Sequence, residues 1–327
     1  MLSFFGVLLG IALLIGGGTA LVQGASQIAS RMGISPMIIG LTIVGFGTST
    51  PELMINIMGA ARGETALAFG NVVGSNISNL GLVLGVAAMI QTIDIQGSVV
   101  RREVPLLLLI TTIITVMGLD GVLEGTAPRI GRADSIILFL LFGIFLYIAI
   151  RDIMRTRNRD VLLDEIKETS FVYTRSSGRY QWLLIIFGFA LLFAGGEMTI
   201  RFSVQLAEQA GVSKAVVGLF VVAIGTSMPE LVTSIIAAMK KESDLALGNL
   251  LGSNVFNSLI VLPSSGLISG IMIPRGGISD LVVSWVFTAA LIPIFFLWKA
   301  RLNRPIGALF LLAYLGYAAT RIAFNDV

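Results

Sequence analysis

Gly33–Leu82 aligns with Gly211–Ile260 without a gap, at an offset of 178 residues, and 22 of the 50 aligned positions are identical. The register reaches back into the preceding segment, where GGGTALVQGASQIASRMGIS (16–35) meets AGGEMTIRFSVQLAEQAGVS (194–213). A chain that repeats itself over this range builds two related units. Ten apolar stretches run through them, over 3–23, 36–61, 66–90, 104–119, 134–150, 182–201, 214–239, 244–269, 280–298 and 305–323. The second copy starts after five of these, an odd number. It must therefore enter a membrane from the opposite face. The predicted fold is an all-α membrane protein with ten transmembrane helices in two inverted five-helix repeats and a binding site at midplane between them. The repeats are expected over 1–150 and 182–327, joined by a cytoplasmic linker at 151–181.

Composition supports reading the apolar stretches as spans. Hydrophobic residues make up 55% of the chain and charged residues 13%, against about 25% charged in soluble domains. The mean hydropathy is +0.92. Such runs are long enough to cross a bilayer as helices, and the 37 glycines suit close helix packing in lipid. No Lys or Arg precedes the first stretch, so it reads as a retained helix rather than a cleaved leader. There is no Cys and no His, which removes thiolate metal sites, disulfides and imidazole relays.

The net charge of +3 is a matter of topology, not of nucleic-acid binding. With the N-terminus outside, 15 of the 22 basic residues fall in cytoplasmic segments, among them Arg31, Arg101, Arg102, Lys240, Lys241 and seven in the linker. That agrees with the positive-inside bias and places both termini outside the cell membrane. The mixed charge of the linker (RDIMRTRNRDVLLDEIKE) predicts a solvated loop or short surface helix.

The chemistry sits where oily side chains would be cheapest. Residues 47–52 read GTSTPE and residues 225–230 read GTSMPE, each inside an apolar run. A Glu at mid-bilayer costs roughly 2.5–3.5 kcal/mol on insertion scales, so it persists by binding something or by facing a polar cavity. No Lys or Arg occupies the interior of a predicted span, so neither acid has a basic partner there. Pro51 and Pro229 lack an N–H and free a backbone carbonyl one turn back. Thr48 and Ser49 lie four and three residues before Glu52 and are expected on its helical face; Thr226 and Ser227 repeat the pattern before Glu230. Serine, threonine and proline alone would mark only a kink with back-bonded hydroxyls. Paired with Glu in both copies, they mark a cluster of oxygen donors carrying two negative charges.

The next span reads GNVVGSNISN at 70–79, matched by GNLLGSNVFN at 248–257. Ser75 and Asn79 are four apart, as are Ser253 and Asn257, so each pair points one way, and their neutral oxygens suit a hard cation. Asn71, Asn76, Asn249 and Asn254 fit ligation and interhelical hydrogen bonding equally. Two carboxylates with neutral oxygens match one Ca2+ or two Na+, and competition for the same charges is a sufficient basis for exchange. The motif does not itself show which ions are used.

At these residues the chain resembles the sodium/calcium exchangers of the Ca2+:cation antiporter superfamily, prokaryotic type. The two signature segments, 45–82 and 223–260, look like that family's paired repeats. The resemblance implies a binding centre formed by helices 2, 3, 7 and 8. Glu52 and Glu230 would be the carboxylates shared by Ca2+ and Na+. Thr48, Ser49, Thr226 and Ser227 would supply hydroxyl or carbonyl oxygens, and Gly45 and Ala223 backbone carbonyls. Ser75 and Ser253 would sit at Na+ subsites, Asn79 and Asn257 at the centre. Segments 1–30 and 195–213 would be gating helices that slide against a rigid core.

Relatives of the K+-dependent branch carry Asp where this chain has Asn257, so the expectation is a K+-independent, electrogenic Na+/Ca2+ antiporter working by alternating access. The alternative is a Ca2+/H+ antiporter using the same two glutamates. No cofactor, nucleic acid or obligate protein partner is expected beyond the ions and the bilayer. An intramembrane protease is disfavoured: there is no HExxH, no His to activate a Ser, and no GxGD context for the acids.

Overall fold

The computed structural model describes residues 2–94, 102–123, 125, 127–164, 178–209, 227–297 and 301–324. Helix α1 (Leu2–Met32) ends where Gly33 takes a φ of +63° and the Ile34 N–H reaches back to Ala29 O at 2.9 Å, a left-handed cap that Gly adopts without penalty. Next come α2 (Pro36–Thr48) and α3 (Thr50–Ala61), bent by 42° at their junction. Then follow α4 (Thr65–Ile90), α5 (Glu103–Met117), the short α6 (Asp120–Leu123) and α7 (Arg132–Asp164). The second set is α8 (Gly178–Gln209), α9 (Met228–Met239), α10 (Ser243–Ser269), α11 (Gly277–Leu297) and α12 (Arg304–Phe324).

Six of these are long and apolar enough to cross a membrane, seven if α2 and α3 form one bent span. The architecture is that of an all-α, multi-pass membrane protein. Helix α1 runs nine residues past the end of its predicted span of 3–23, and α7 continues through 151–164, where the linker is predicted to begin.

Helices α4 and α10 lie at the centre, with 72% and 89% of their apolar window buried, whereas α1, α8 and α7 bury only 33%, 33% and 22%. The apolar packing divides the same way. One cluster joins α4, α5, α10, α11 and α12 through residues such as Phe69, Leu107, Leu251, Leu291 and Phe310. A second gathers Leu14, Leu21, Ile185 and Leu192 of α1 and α8 against α2, α9 and the start of α10. Helices α1 and α8 thus form a peripheral pair on a central bundle.

That pair meets backbone to backbone. A Cβ placed on Gly17 would lie 2.8 Å from Gly188 O, and one on Gly195 would lie 2.8 Å from Gly10 O. Only hydrogen at the α-carbon permits such an approach. Because low numbers in α1 meet high numbers in α8, the two helices run antiparallel.

Two small ribbons, absent from the sequence reading, fasten the connections. β1 (Ile93–Asp94) pairs antiparallel with β4 (Arg301–Leu302), and β2 (Arg129–Ile130) pairs with β3 (Ile271–Met272). Each ribbon takes one strand from each half of the chain. Position 93 matches position 271 at the 178-residue offset, so matched connections exchange partners.

Candidate ion-binding centre

The proline motifs break their helices in the same way. Ser49 sits at φ −84°, ψ 8° and Ser227 at φ −89°, ψ 11°, between the helical and extended regions where turn and active-site residues gather. Pro51 and Pro229 follow within the first turn of the new helices, where their missing N–H costs nothing. Thr50 Oγ1 donates to Phe46 O at 3.2 Å and compensates one weakened helical carbonyl. Glu52 and Glu230 consequently stand in the first turn of α3 and α9, where the positive end of the helix dipole favours an anion.

The break also changes how the hydroxyls converge. A continuous helix would carry Thr48, Ser49 and Glu52 on one face. Instead Thr48 and Ser49 end one segment while Glu52 opens the next, and the hydroxyls reach across to the other half. Ser49 Oγ donates to Glu230 Oε1 at 3.0 Å. Thr48 Oγ1 is 3.1 Å from Asn249 Oδ1 and 3.3 Å from Ser253 Oγ. Ser75 Oγ and Ser227 Oγ share a hydrogen bond of 3.2 Å.

Helix α2 comes this close to α10 because glycines line their contact. A Cβ on Gly40 would meet Leu245 O at 2.7 Å, and one on Gly45 would meet Ser253 N at 2.9 Å. The approach lets Ser253 Oγ donate to Gly45 O at 3.2 Å.

Glu52 is 0% exposed and Glu230 1%, and the hydrogen bond from Ser49, at the turn before Glu52, to Glu230 brings the two motifs together. Both oxygens of Glu52, Glu230 Oε2, Asn79 Oδ1 and Asn257 Oδ1 are buried without a hydrogen-bond donor among the described residues. These five atoms are acceptors; Asn56 Nδ2, a donor, and the Thr233 hydroxyl are also buried without a partner among the described residues. Buried polar groups are normally paired, and two like charges in a medium of low dielectric repel; an oxygen set of this kind is chemically suited to a hard cation. Among the described residues no third acidic side chain joins the two to form a metal cluster.

Asn79 and Asn257 each begin a π-helical turn, Asn79–Val83 and Asn257–Val261. The wider turn interrupts the regular ladder where the side chain must face inward, a frequent device at functional sites. The other asparagines knit the bundle. Asn79 Nδ2 donates to Asn254 Oδ1 at 2.9 Å, Asn76 Nδ2 to Ser258 Oγ at 3.0 Å, and Asn257 Nδ2 to Asn76 Oδ1 at 3.3 Å. Asn249 Nδ2 donates to Ser234 Oγ at 2.9 Å, and at the matched positions Asn71 Nδ2 reaches Asn56 Oδ1 at 3.4 Å.

Asn56 and Ser234 were not singled out by sequence reasoning, although both are wholly buried. Their shared signal is a polar residue four positions after each Glu. Thr226 and Ala223, also expected at the site, lie outside the described residues.

Fold and site together define a multi-pass helical membrane protein with a pair of carboxylates sealed in its interior. The sodium/calcium exchanger protein family profile matches residues 2–151 and 180–323. The chain is 38% identical over 314 residues to the putative antiporter CaxA of Alkalimonas amylolytica, spanning 95% of this chain and 96% of that protein. It is 29% identical over 289 residues to the sodium/calcium exchanger MaX1 of Methanosarcina acetivorans, over 81% and 83% of the two chains. The solved structure of the sodium-calcium exchanger NCX_Mj, soaked with 2.5 mM Na+ and 0.1 mM Ca2+, superposes with a TM-score of 0.83 at 26% identity. That match covers 100% of this chain and 99% of the other. The chain belongs to the sodium/calcium exchanger family, and the resemblance seen in its motifs is borne out.

Proposed function

We propose that the protein is a secondary antiporter that exchanges Na+ for Ca2+ across the cell membrane by alternating access. The observation that carries this reading is the set of five donorless acceptor atoms on Glu52, Glu230, Asn79 and Asn257. Ca2+ takes six to eight oxygen ligands. Those atoms, with the hydroxyls of Thr48, Ser49, Ser75, Ser227 and Ser253 and the carbonyl of Gly45, are eleven oxygens, from which such a shell can be drawn. Thr226 and Ala223 complete the proposed set by their match to Thr48 and Gly45. Ca2+ or Na+ neutralises the same carboxylates, so one species leaves only as the other compensates. The relatives named as sodium/calcium exchangers support Na+ as the counter-ion.

Neutral Asn257 supports K+ independence. More Na+ charge than Ca2+ charge per cycle makes exchange electrogenic, each net charge being worth about 2.3 kcal/mol per 100 mV.

The ten-helix inverted topology is part of the same proposal, and the ribbons support it by parity. Strands that pair must lie on one face of the membrane, so an even number of crossings separates them. From β1 to β4 the ten predicted spans give six crossings, and from β2 to β3 they give four. Removing the span of α5 puts β1 and β4 on opposite faces, and removing that of α9 separates both pairs. On this reading the short helices count as crossings, and the distribution of basic residues supports both termini on the outer face.

Purified protein in liposomes, loaded with Ca2+ and given separate Na+, K+ and H+ gradients, tests the proposal. Ca2+ flux should follow the Na+ gradient and the imposed potential and ignore K+. Flux that follows a pH gradient instead would transfer the same two glutamates to Ca2+/H+ exchange.

A further inference from the structure

Four asparagines stand on the two central helices at positions that match across the repeat, Asn76 with Asn254 and Asn79 with Asn257. All four are buried. Their hydrogen bonds run crosswise. Asn79 on α4 donates its Nδ2 to Asn254 Oδ1 on α10 at 2.9 Å, and Asn257 on α10 donates its Nδ2 to Asn76 Oδ1 on α4 at 3.3 Å. In each case the Oδ1 of the donating residue is left without a partner among the described residues.

An amide has two opposite ends. One is a carbonyl oxygen that suits a hard cation, the other an NH2 group that repels one. Half a turn about the last side-chain bond exchanges them, and the preference of that bond is broad. The turns at Asn79 and Asn257 pack against α9 and α3, the helices that carry Glu230 and Glu52. A carboxylate attracts N–H groups, so an unheld amide beside it would swing its Nδ2 inward. Yet neither oxygen of Glu52 has a donor among the described residues.

We propose that Asn76 and Asn254 are positioning residues for the ion site: each holds the Nδ2 of the other half's asparagine ligand, so that Oδ1 is the atom turned to the cation. Their own orientation is fixed in turn. Asn254 Nδ2 donates to Asn76 O at 3.2 Å. A backbone carbonyl can only accept, so Asn254 Oδ1 is the end left for Asn79. Asn76 Nδ2 donates to Ser258 Oγ at 3.0 Å, which leaves Asn76 Oδ1 for Asn257. The second anchor has no equivalent in the first half, where Leu80 stands at the position matching Ser258. The inference rests on the proposed ion site and deepens it, since neither Asn76 nor Asn254 is itself a ligand.

Equilibrium binding of radiolabelled Ca2+ to the purified full chain tests it, with aspartate as the comparison ligand. A carboxylate presents an oxygen whichever way it turns, so Asp in place of Asn79 or Asn257 needs no orienting. Asn254→Ala should weaken Ca2+ binding by about ten- to a hundredfold, the usual cost of losing a partner that orients a metal ligand. Made in an Asn79→Asp chain, the same change should cost little, whereas in an Asn257→Asp chain the full loss should remain. Asn76→Ala should show the reverse, with rescue by Asn257→Asp and none by Asn79→Asp. Ser258→Ala removes a single hydroxyl and should give a smaller loss, rescued by Asn257→Asp alone. A residue that only braces the helices has no reason to distinguish the two aspartates, so an equal loss in every background overturns the inference. An Asn254→Ala chain that binds Ca2+ as the parent does overturns it too. A parent chain that binds no Ca2+ would overturn the ion site itself, and the positioning role with it.

Discussion

In the proposed function, Glu52 and Glu230 are the residues on which ion handling turns. Each is buried, each stands in the first turn of a helix that restarts after a proline, and three of their four oxygens lack a donor among the described residues. Glu52→Gln or Glu230→Gln should lower Ca2+ flux in liposomes by more than about a hundredfold, beyond the range seen for groups that only orient a ligand. The variant should still insert, because neutralising a buried acid removes an insertion cost; near-normal exchange by either would take the carboxylates out of the site. Asn257→Asp adds a third charge beside them and should change ion selectivity, read as the ratio of Na+-driven to K+-assisted Ca2+ flux. An unaltered ratio would remove Asn257 from contact with the ion. These acids are legible from the chain alone, since a carboxylate without a basic partner stands out in an oily run and its duplicate stands out twice. Asn56 and Ser234 are not, because a lone polar residue in a span looks alike whether it holds a ligand or a neighbouring helix.

Helix ends and helix contacts decide what moves. The turns after α3 and α9 are built alike, with Glu64 N donating to Gly59 O at 2.9 Å and Glu242 N to Ala237 O at 2.8 Å. Their left-handed position is Gly63 at φ +78° in one and Lys241 at φ +63° in the other. A side chain there costs about 1 kcal/mol or more, so Lys241→Gly should raise the unfolding midpoint in detergent and Gly63→Lys should lower it. The lysine turn touches α1: Glu242 Oε1 accepts from Ser26 Oγ at 2.6 Å, and Lys240 Nζ donates to Thr19 O at 3.3 Å. Between α1 and α8 the contact itself is glycine. Gly17→Val or Gly188→Val drives methyls into the opposing backbone and should destabilise the protein by about 1–3 kcal/mol, as overpacking does, with slowed exchange. A variant of normal melting and rate would mean the pair is not tightly seated. The spans of the helices follow from hydropathy, but their fine structure does not. Pro51 marks the break at Ser49 in the sequence, but neither its 42° bend nor the π turns at Asn79 and Asn257 can be read from a hydropathy pattern. The charge of 151–164 reads as a loop or a short separate surface helix, because it hides that the apolar helix before it simply continues.

At the scale of the molecule, duplication is the most legible fact and the exchange of strands the least. Two residues of backbone pairing leave no periodicity to read, yet Ile93 faces Leu302 and Ile130 faces Ile271 across the halves. Each half presents unsatisfied strand edges that only the other can cover. Fragments 1–164 and 178–327 should therefore be degraded when expressed singly, and should copurify and transport Ca2+ when expressed together; a first fragment that survives alone would show that the ribbons are dispensable. During synthesis, Ile93 leaves the ribosome long before Leu302 exists to receive it. That seam stays open until the last connection is made, and the last connection also closes the first.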